Sequence, residues 1–178
     1  MKTLRLLAVF AAFAAFALRA AAADVTVTLS DVHLCCQNCV NGANKALAPV
    51  TGAKGVVDMD AKTIAITAAD NATMQKAVDA LTAAGYFGKS SDSAIKVDAS
   101  SGAKPGKAQT LEISGVHLCC GKCVTAVKDA LAAVDGVKTN TVASKAKSFT
   151  ITGDFDTASV FAALQKIGLT GKVVVSAN

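Results

Sequence analysis

The chain has 178 residues and a formal net charge of +5, but Lys2, Arg5 and Arg19 lie in the first 23 residues, and the remainder carries only +2 (15 basic and 13 acidic side chains). So small a charge gives no support for nucleic-acid binding. Beyond residue 23 there are only five aromatic side chains, which excludes a base-stacking surface: Tyr86, Phe87, Phe149, Phe155 and Phe161.

Residues 1–23 are predicted to be a signal peptide. Lys2 and Arg5 precede an apolar run at 6–18, and the small residues at 21–23 fit a cleavage site. The run is shorter than the roughly 20 residues that a spanning helix needs. We therefore expect export to the periplasm or the cell exterior, with no stable membrane insertion after cleavage. An uncleaved anchor is the alternative.

Residues 24–97 are predicted to form a first α+β domain. Apolar alternation, helical stripes and capping residues predict six elements. In chain order these are a strand at 25–29, a helix from Asn38 to Pro49, strands at 56–59 and 63–67, a helix capped by Asp70 or Asn71 and ended by Gly85, and a last strand at 95–97.

Residues 98–108 (DASSGAKPGKA) are predicted to be a flexible linker. A coil of this length spans roughly 18 Å from end to end. The linker therefore allows the flanking domains to approach each other without forcing contact.

Residues 109–178 are predicted to form a second domain that repeats the first. The helix stripe Val40, Ala43, Leu47 and Val50 has the same spacing as Val124, Val127, Leu131 and Val134, and a strand is expected at 172–176. The predicted fold class is α+β: two tandem ferredoxin-like βαββαβ sandwiches, joined by the linker and preceded by the signal peptide.

One repeated motif contains all six cysteines and both histidines. It reads His33-Leu34-Cys35-Cys36-x-x-Cys39 in the first copy and His117-Leu118-Cys119-Cys120-x-x-Cys123 in the second. Cysteines three residues apart at a helix start bring both sulfurs to one side, and the positive end of the helix stabilises thiolates. Such a pair suits Cu(I), and also Hg(II) or Zn(II).

The element order, the CxxC after the first strand and the closing Gly85-Tyr86 resemble the heavy-metal-associated domain of copper chaperones, copper-transporting ATPase tails and the periplasmic mercury-binding protein. The resemblance covers residues 25–97 and 109–178. It implies that the protein binds metal, most readily copper(I), and that its partner is a metal-transporting membrane protein or another metallochaperone. The implied ligands are Cys36, Cys39, Cys120 and Cys123.

The chain departs from the Gly-Met-Thr-Cys-x-x-Cys loop of that family. Leu34 and Leu118 replace the methionine and keep an apolar side chain of similar volume buried under each loop. Tyr86 has Leu169 as its counterpart in the second copy, so we expect the second site to be drier or less shielded. Alternatively, Tyr86 simply covers the edge of a small core.

The other departures add donor atoms beside each pair. Cys35 and Cys119 are candidate third thiolates, and His33 and His117 are candidate auxiliary ligands; either type would shift the metal preference toward Zn(II). Alternation along an extended segment, however, points neighbouring side chains in opposite directions. Two alternatives therefore stay open. In the first, Cys35 and Cys119 are exposed thiols able to bridge two chains. In the second, His33 and His117 are solvated or brace the loop.

The leading hypothesis is an exported protein that sequesters soft metal ions or hands them over by thiolate exchange, with a partner or between its two copies. The alternative is a thiol–disulfide redox protein or redox sensor that uses the same CxxC pairs, since thiols outside the cytoplasm tend to be oxidised. Structural disulfides are a third option. Each copy is too short for a thioredoxin fold, and neither Pro49 nor Pro105 is placed to line such an active site. No other catalytic constellation is visible, so we predict no enzymatic activity.

Overall fold

The structure, a computed structural model, describes residues 24–174. Residues 1–23 and 175–178 lie outside the described residues, so the signal peptide stays a prediction. Between residues 24 and 174, no helix has the length and apolar character required to cross a bilayer.

The first half of the described chain has the predicted βαββαβ order. Its elements are β1 (Val25–Ser30), α1 (Gln37–Leu47), β2 (Ala53–Asp58), β3 (Thr63–Ala68), α2 (Asn71–Ala83) and β4 (Lys89–Ser90). The strands form an antiparallel sheet in the order β2-β3-β1-β4. The side chains of Val27 and Leu29 on β1 are buried, and that of Thr28 between them is not, as alternation along a half-buried strand requires.

The second half repeats this arrangement. Its elements are β5 (Lys107–Ser114), α3 (Gly121–Ala132), β6 (Val137–Asn140), β7 (Ser148–Asp156), α4 (Thr157–Lys166) and β8 (Lys172–Val173). The sheet order, β6-β7-β5-β8, matches that of the first half position by position. The predicted α+β class is confirmed: residues 24–174 contain two four-stranded sheets and four helices of the ferredoxin-like kind.

The helices pack through the apolar faces that the sequence predicts. On α1 the buried residues are Cys39, Ala43 and Leu47. The Asp70 side chain caps α2 by accepting a hydrogen bond from the Thr73 N–H, which satisfies one of the free donors at the helix start. These local signals place each motif loop between a sheet strand and the first turn of a helix.

The last strand of the first half was predicted wrongly. Residues 95–97 do not pair with the sheet; β4 lies at Lys89–Ser90 and pairs with the end of β1. Ile95 is buried, as expected for an apolar side chain, but the backbone of the next residue is hydrogen-bonded to a side chain and not to the sheet. The Gln75 amide donates to the Lys96 carbonyl at 2.7 Å and accepts from the Lys96 N–H at 3.0 Å.

In the second half, β8 covers only the first two residues of the strand predicted at 172–176. The Val174 N–H still donates to the Glu112 carbonyl at 2.9 Å. The remaining two predicted positions lie outside the described residues.

The predicted linker makes several hydrogen bonds to the second half. The Val173 N–H donates to the Ser101 carbonyl at 2.8 Å, and the Thr157 hydroxyl donates to the Lys104 carbonyl at 2.7 Å. The strand β5 begins at Lys107, inside the predicted linker segment. Sequence composition does not anticipate these bonds.

The two halves meet through the segments that follow α2 and α4. Tyr86 forms a β-bridge with Leu169. On either side of it, the Phe87 N–H donates to the Gly168 carbonyl and the Thr170 N–H donates to the Gly85 carbonyl, both at 3.0 Å. We call residues 85–87 and 168–170 the bridge segments. Their pairing turns the two cysteine loops toward each other.

The bridge segments require glycine at their first positions. Gly85 has φ +88, and a Cβ there would lie 2.3 Å from the Gly115 carbonyl oxygen and 2.5 Å from the His117 nitrogen. Because these are backbone atoms of the other half, a methyl group at residue 85 would push the halves apart.

We expect Gly85→Ala to separate the halves while leaving both folded. Gly52→Ala is the matched control, because Gly52 has φ +86 but a Cβ there would meet only a Thr73 methyl at 3.5 Å. Each alanine should cost about 1 kcal/mol through its positive φ. Small-angle X-ray scattering should show a larger radius of gyration for Gly85→Ala alone, with unchanged circular dichroism. Equal radii for the two variants would contradict this account of the interface.

Candidate metal centre

Each cysteine motif is positioned by the start of a helix. Cys36 is the N-cap of α1 and Cys120 is the N-cap of α3, both with extended backbones. Cys39 and Cys123 lie in the first helical turn and are fully buried. Within each CxxC pair the two Sγ atoms are 3.8 Å apart. The spacing therefore places both sulfurs on one side of the helix start, as predicted.

The two motifs form one group of sulfur atoms instead of two separate pairs. Across the interface, Cys35 Sγ lies 3.5 Å from Cys123 Sγ, and Cys119 Sγ lies 3.5 Å from Cys39 Sγ. Cys36 and Cys120 approach within 3.6 Å. All six cysteines are free thiols. We call their sulfur atoms the thiol cluster.

The thiol cluster has nearly twofold symmetry. The Cys35–Cys39 distance of 3.6 Å recurs between Cys119 and Cys123, and the Cys35–Cys120 distance of 3.8 Å recurs between Cys36 and Cys119. The axis passes between Cys39 and Cys123, whose Sγ atoms are 3.8 Å apart. The repeated cysteine motif therefore forms a symmetric arrangement of ligand atoms.

Cys35 and Cys119 point toward the opposite half. Val32 and Leu34 of the same extended segment are buried in their own half. Alternation along that segment directs Cys35 away from its own core. Alternation along the segment therefore predicts the direction of Cys35 correctly, but the second half supplies sulfur partners where solvent was expected.

Several thiols of the cluster resist ionisation. Burial raises the pKa of Cys35 to about 12 and raises the pKa of Cys119 above its usual range. The contact between the Cys39 and Cys123 sulfurs lowers the pKa of Cys39 and raises that of Cys123. Closely spaced like charges disfavour further ionisation.

Cys120 differs from the buried Cys39, whose pKa is also lowered, because it is partly exposed. The backbone of Cys123 lowers the pKa of Cys120 to about 6. The positive end of α3 acts in the same direction. Because Cys120 is only half-buried, its thiolate is available to an incoming cation or reagent.

Tyr86 is fully buried beside the cluster and bonds to the first motif. Its hydroxyl donates to the Cys39 carbonyl at 2.7 Å and lies 3.1 Å from His117 Nε2. The Tyr86 and His117 rings stack with centroids 4.5 Å apart. Burial raises the pKa of Tyr86, so the hydroxyl keeps its proton.

His33 lies in a different environment from His117, although the repeat places them at equivalent positions. One of its ring nitrogens lies within 4.8 Å of the Cys35 and Cys123 sulfurs. Its Nε2 is buried without a hydrogen-bond partner. Burial also lowers the pKa of His33 and keeps the ring neutral.

The chain was compared with known proteins. Residues 110–173 match the family model described as "Heavy-metal-associated domain". No match was found among curated proteins. The chain is also similar to the N-terminal soluble domains of Bacillus subtilis CopA, at 16% identity and a TM-score of 0.30, with 86% of this chain and 95% of that chain covered.

A second solved structure has still lower similarity. The first two RRM domains of yeast poly(U) binding protein (Pub1) align at 11% identity and a TM-score of 0.24, covering 86% of this chain and 100% of that chain.

The lowered pKa of Cys120 predicts that this thiol reacts first with alkylating reagents. In the reduced, metal-free protein we expect iodoacetamide to modify Cys120 with a midpoint near pH 6, because the thiolate is the nucleophile and is lost only below that pH. Site-resolved mass spectrometry measures this rate, and Cys120→Ser is the control. A midpoint near pH 9 would contradict the effect of the Cys123 N–H.

Proposed function

We propose, from the match of residues 110–173 to the heavy-metal-associated domain model, that this chain binds soft metal ions as cargo and is not an enzyme. Cu(I) is the ion that we propose first, and Hg(II) and Zn(II) are the alternatives for the same donors. We also propose that residues 25–97 are a second heavy-metal-associated domain, because they share its element order and sheet order.

The observation that carries the proposal is the meeting of six sulfurs from two distant motifs. Every short Sγ–Sγ distance in the cluster lies between 3.5 and 3.8 Å. The centre of a triangle with such edges is about 2.1 Å from each corner, close to a thiolate–metal bond of about 2.3 Å. Small movements would therefore fit an ion among three sulfurs.

The charge balance favours several ions over one. Six thiolates around one Cu(I) would carry a net charge of about −5 in a half-buried site, whereas four ions would lower it to about −2. Four triangles in the cluster have all three edges at or below 3.8 Å: Cys35–Cys39–Cys123, Cys39–Cys119–Cys123, Cys35–Cys120–Cys123 and Cys36–Cys39–Cys119. We therefore propose a polynuclear cluster of about four Cu(I) ions shared by the two halves.

Ion transfer would take place at the more open side of the cluster. Cys36 and Cys120 are half-buried, whereas Cys39 and Cys123 are fully buried. A thiolate from a partner can join an ion there before a bond to this chain breaks, so the ion is never free. The partner we propose is a metal-transporting membrane protein or another metallochaperone. The signal peptide predicted at residues 1–23 supports a role outside the cytoplasm.

Thiol–disulfide exchange at the CxxC pairs is the competing function. It needs only two sulfurs in a site, and it gives no reason for Cys35 and Cys119 to join the same cluster. Metal binding uses all six sulfurs, and the positive charge of the ions relieves the repulsion between the thiolates. The two functions make opposite predictions for Cys35 and Cys119, which lie outside both pairs.

We expect the reduced protein to bind about four Cu(I) ions per chain without dimerising. Replacing both Cys35 and Cys119 by serine should lower the number to about two, because every triangle would lose a corner and only the two CxxC pairs would remain. Anaerobic titration followed by native mass spectrometry measures both numbers, with Zn(II) and Hg(II) titrated in parallel.

The matched control for this double variant is Ser91→Ala with Ser159→Ala, which changes one hydroxyl in each half outside the motifs. Two ions bound to the wild type, with no effect of the cysteine substitutions, would contradict the shared cluster and support two separate dithiolate sites.

A further inference from the structure

We propose that His33, but not its counterpart His117, is a metal ligand, so that one face of the shared cluster binds its ion through two thiolates and an imidazole. The inference rests on the proposed function, because it assigns a donor to an ion that the thiol cluster holds. The donors on this face are His33, Cys35 and Cys123.

The internal duplication makes the two histidines a matched pair. Each precedes a buried leucine and a Cys-Cys pair, and each follows the first strand of its half. The difference between them arises in the bridge segments, where Tyr86 in the first half corresponds to Leu169 in the second.

The Nε2 atom of His117 is hydrogen-bonded to Tyr86. The Cys39 carbonyl can only accept, so the Tyr86 hydroxyl donates its one hydrogen there at 2.7 Å. The same hydroxyl must then accept from His117 Nε2 at 3.1 Å, which places a proton on that nitrogen. A protonated ring nitrogen has no lone pair for a metal ion. Tyr86 therefore removes the Nε2 lone pair of His117 from metal binding.

The Nε2 atom of His33 has no such partner. The ring has a hydrogen bond to the backbone of Ile167, and the fully buried Leu169 side chain carries no polar group that could bond to Nε2. Nε2 of His33 is therefore buried and unsatisfied, a state that costs free energy unless a ligand relieves it. A metal ion held by Cys35 and Cys123 would supply the missing interaction.

The surroundings leave room for an ion on this face. A cavity of about 630 Å³ lies beside His33 and Cys35, between the two halves. A neutral imidazole also adds a donor without adding negative charge, which suits a cluster already dominated by thiolates. Because nitrogen is a harder donor than sulfur, this face should accept borderline ions such as Zn(II) more readily than the all-sulfur faces.

The test compares His33→Gln with His117→Gln in the full mature chain. We expect His33→Gln to weaken the affinity for the most weakly bound Cu(I) ion by about tenfold or more. His117→Gln should leave all Cu(I) affinities within about twofold, because its Nε2 is protonated toward Tyr86 and the ring belongs to none of the ligand groups among the described residues.

Nitrogen-15 NMR of the imidazole rings gives a direct readout that does not depend on the folding of a variant. Adding Cu(I) to the wild type should shift the ring nitrogens of His33 much more than those of His117. Tyr86→Phe removes a single hydroxyl and should make His117 respond as well, since its Nε2 proton is then no longer held.

The outcomes separate the inference from the proposed function. If the wild type binds Cu(I) and both histidines respond equally, or neither responds, the assignment of His33 is overturned and the thiolate cluster stands. If the wild type binds no Cu(I), both are overturned.

Discussion

The structure depends on the antiparallel pairing of the two bridge segments. Backbone hydrogen bonds on either side of the Tyr86–Leu169 bridge hold the halves at a distance that only glycine permits at residues 85 and 168. A Cβ at Gly168 would lie 2.3 Å from the Asp31 carbonyl oxygen, as a Cβ at Gly85 would approach Gly115. Because each glycine follows the second helix of its half, the contact reaches the opposite cysteine loop directly. The thiol cluster is a consequence of this close approach.

Once six sulfurs lie in contact, electrostatics governs what the cluster can do. Ionising them all without cations would place like charges 3.5 to 3.8 Å apart in a site partly shielded from water. Protonation limits this repulsion, because burial raises the pKa of Cys35 and the contact with Cys39 raises that of Cys123. In the proposed function soft cations replace those protons, so affinity should fall as pH decreases. The proposed His33 ligand follows the same logic, because a neutral imidazole adds a donor without adding negative charge.

Much of the fold could be predicted because its signals are local. Alternation in β1, the Asp70 cap and the helix-ending Gly85 each act within a few residues. The last strand of the first half could not be predicted, because the backbone of Lys96 is bonded by Gln75, a residue 21 positions earlier on α2.

The site was predictable only in part. Composition and spacing identify all the donor residues, but their convergence depends on pairing between segments more than 80 residues apart. The Tyr86–Leu169 difference was visible in the aligned copies, yet its effect on the two histidines emerges only from the geometry.

X-ray absorption spectroscopy at the copper edge, on the Cu(I)-loaded mature protein, tests the central claim most directly. A shared polynuclear cluster predicts copper–copper scattering in addition to a first shell of about three donors, mostly sulfur. A shell of two sulfurs around each ion, with no metal neighbour, would show that the halves bind copper separately and would contradict the account.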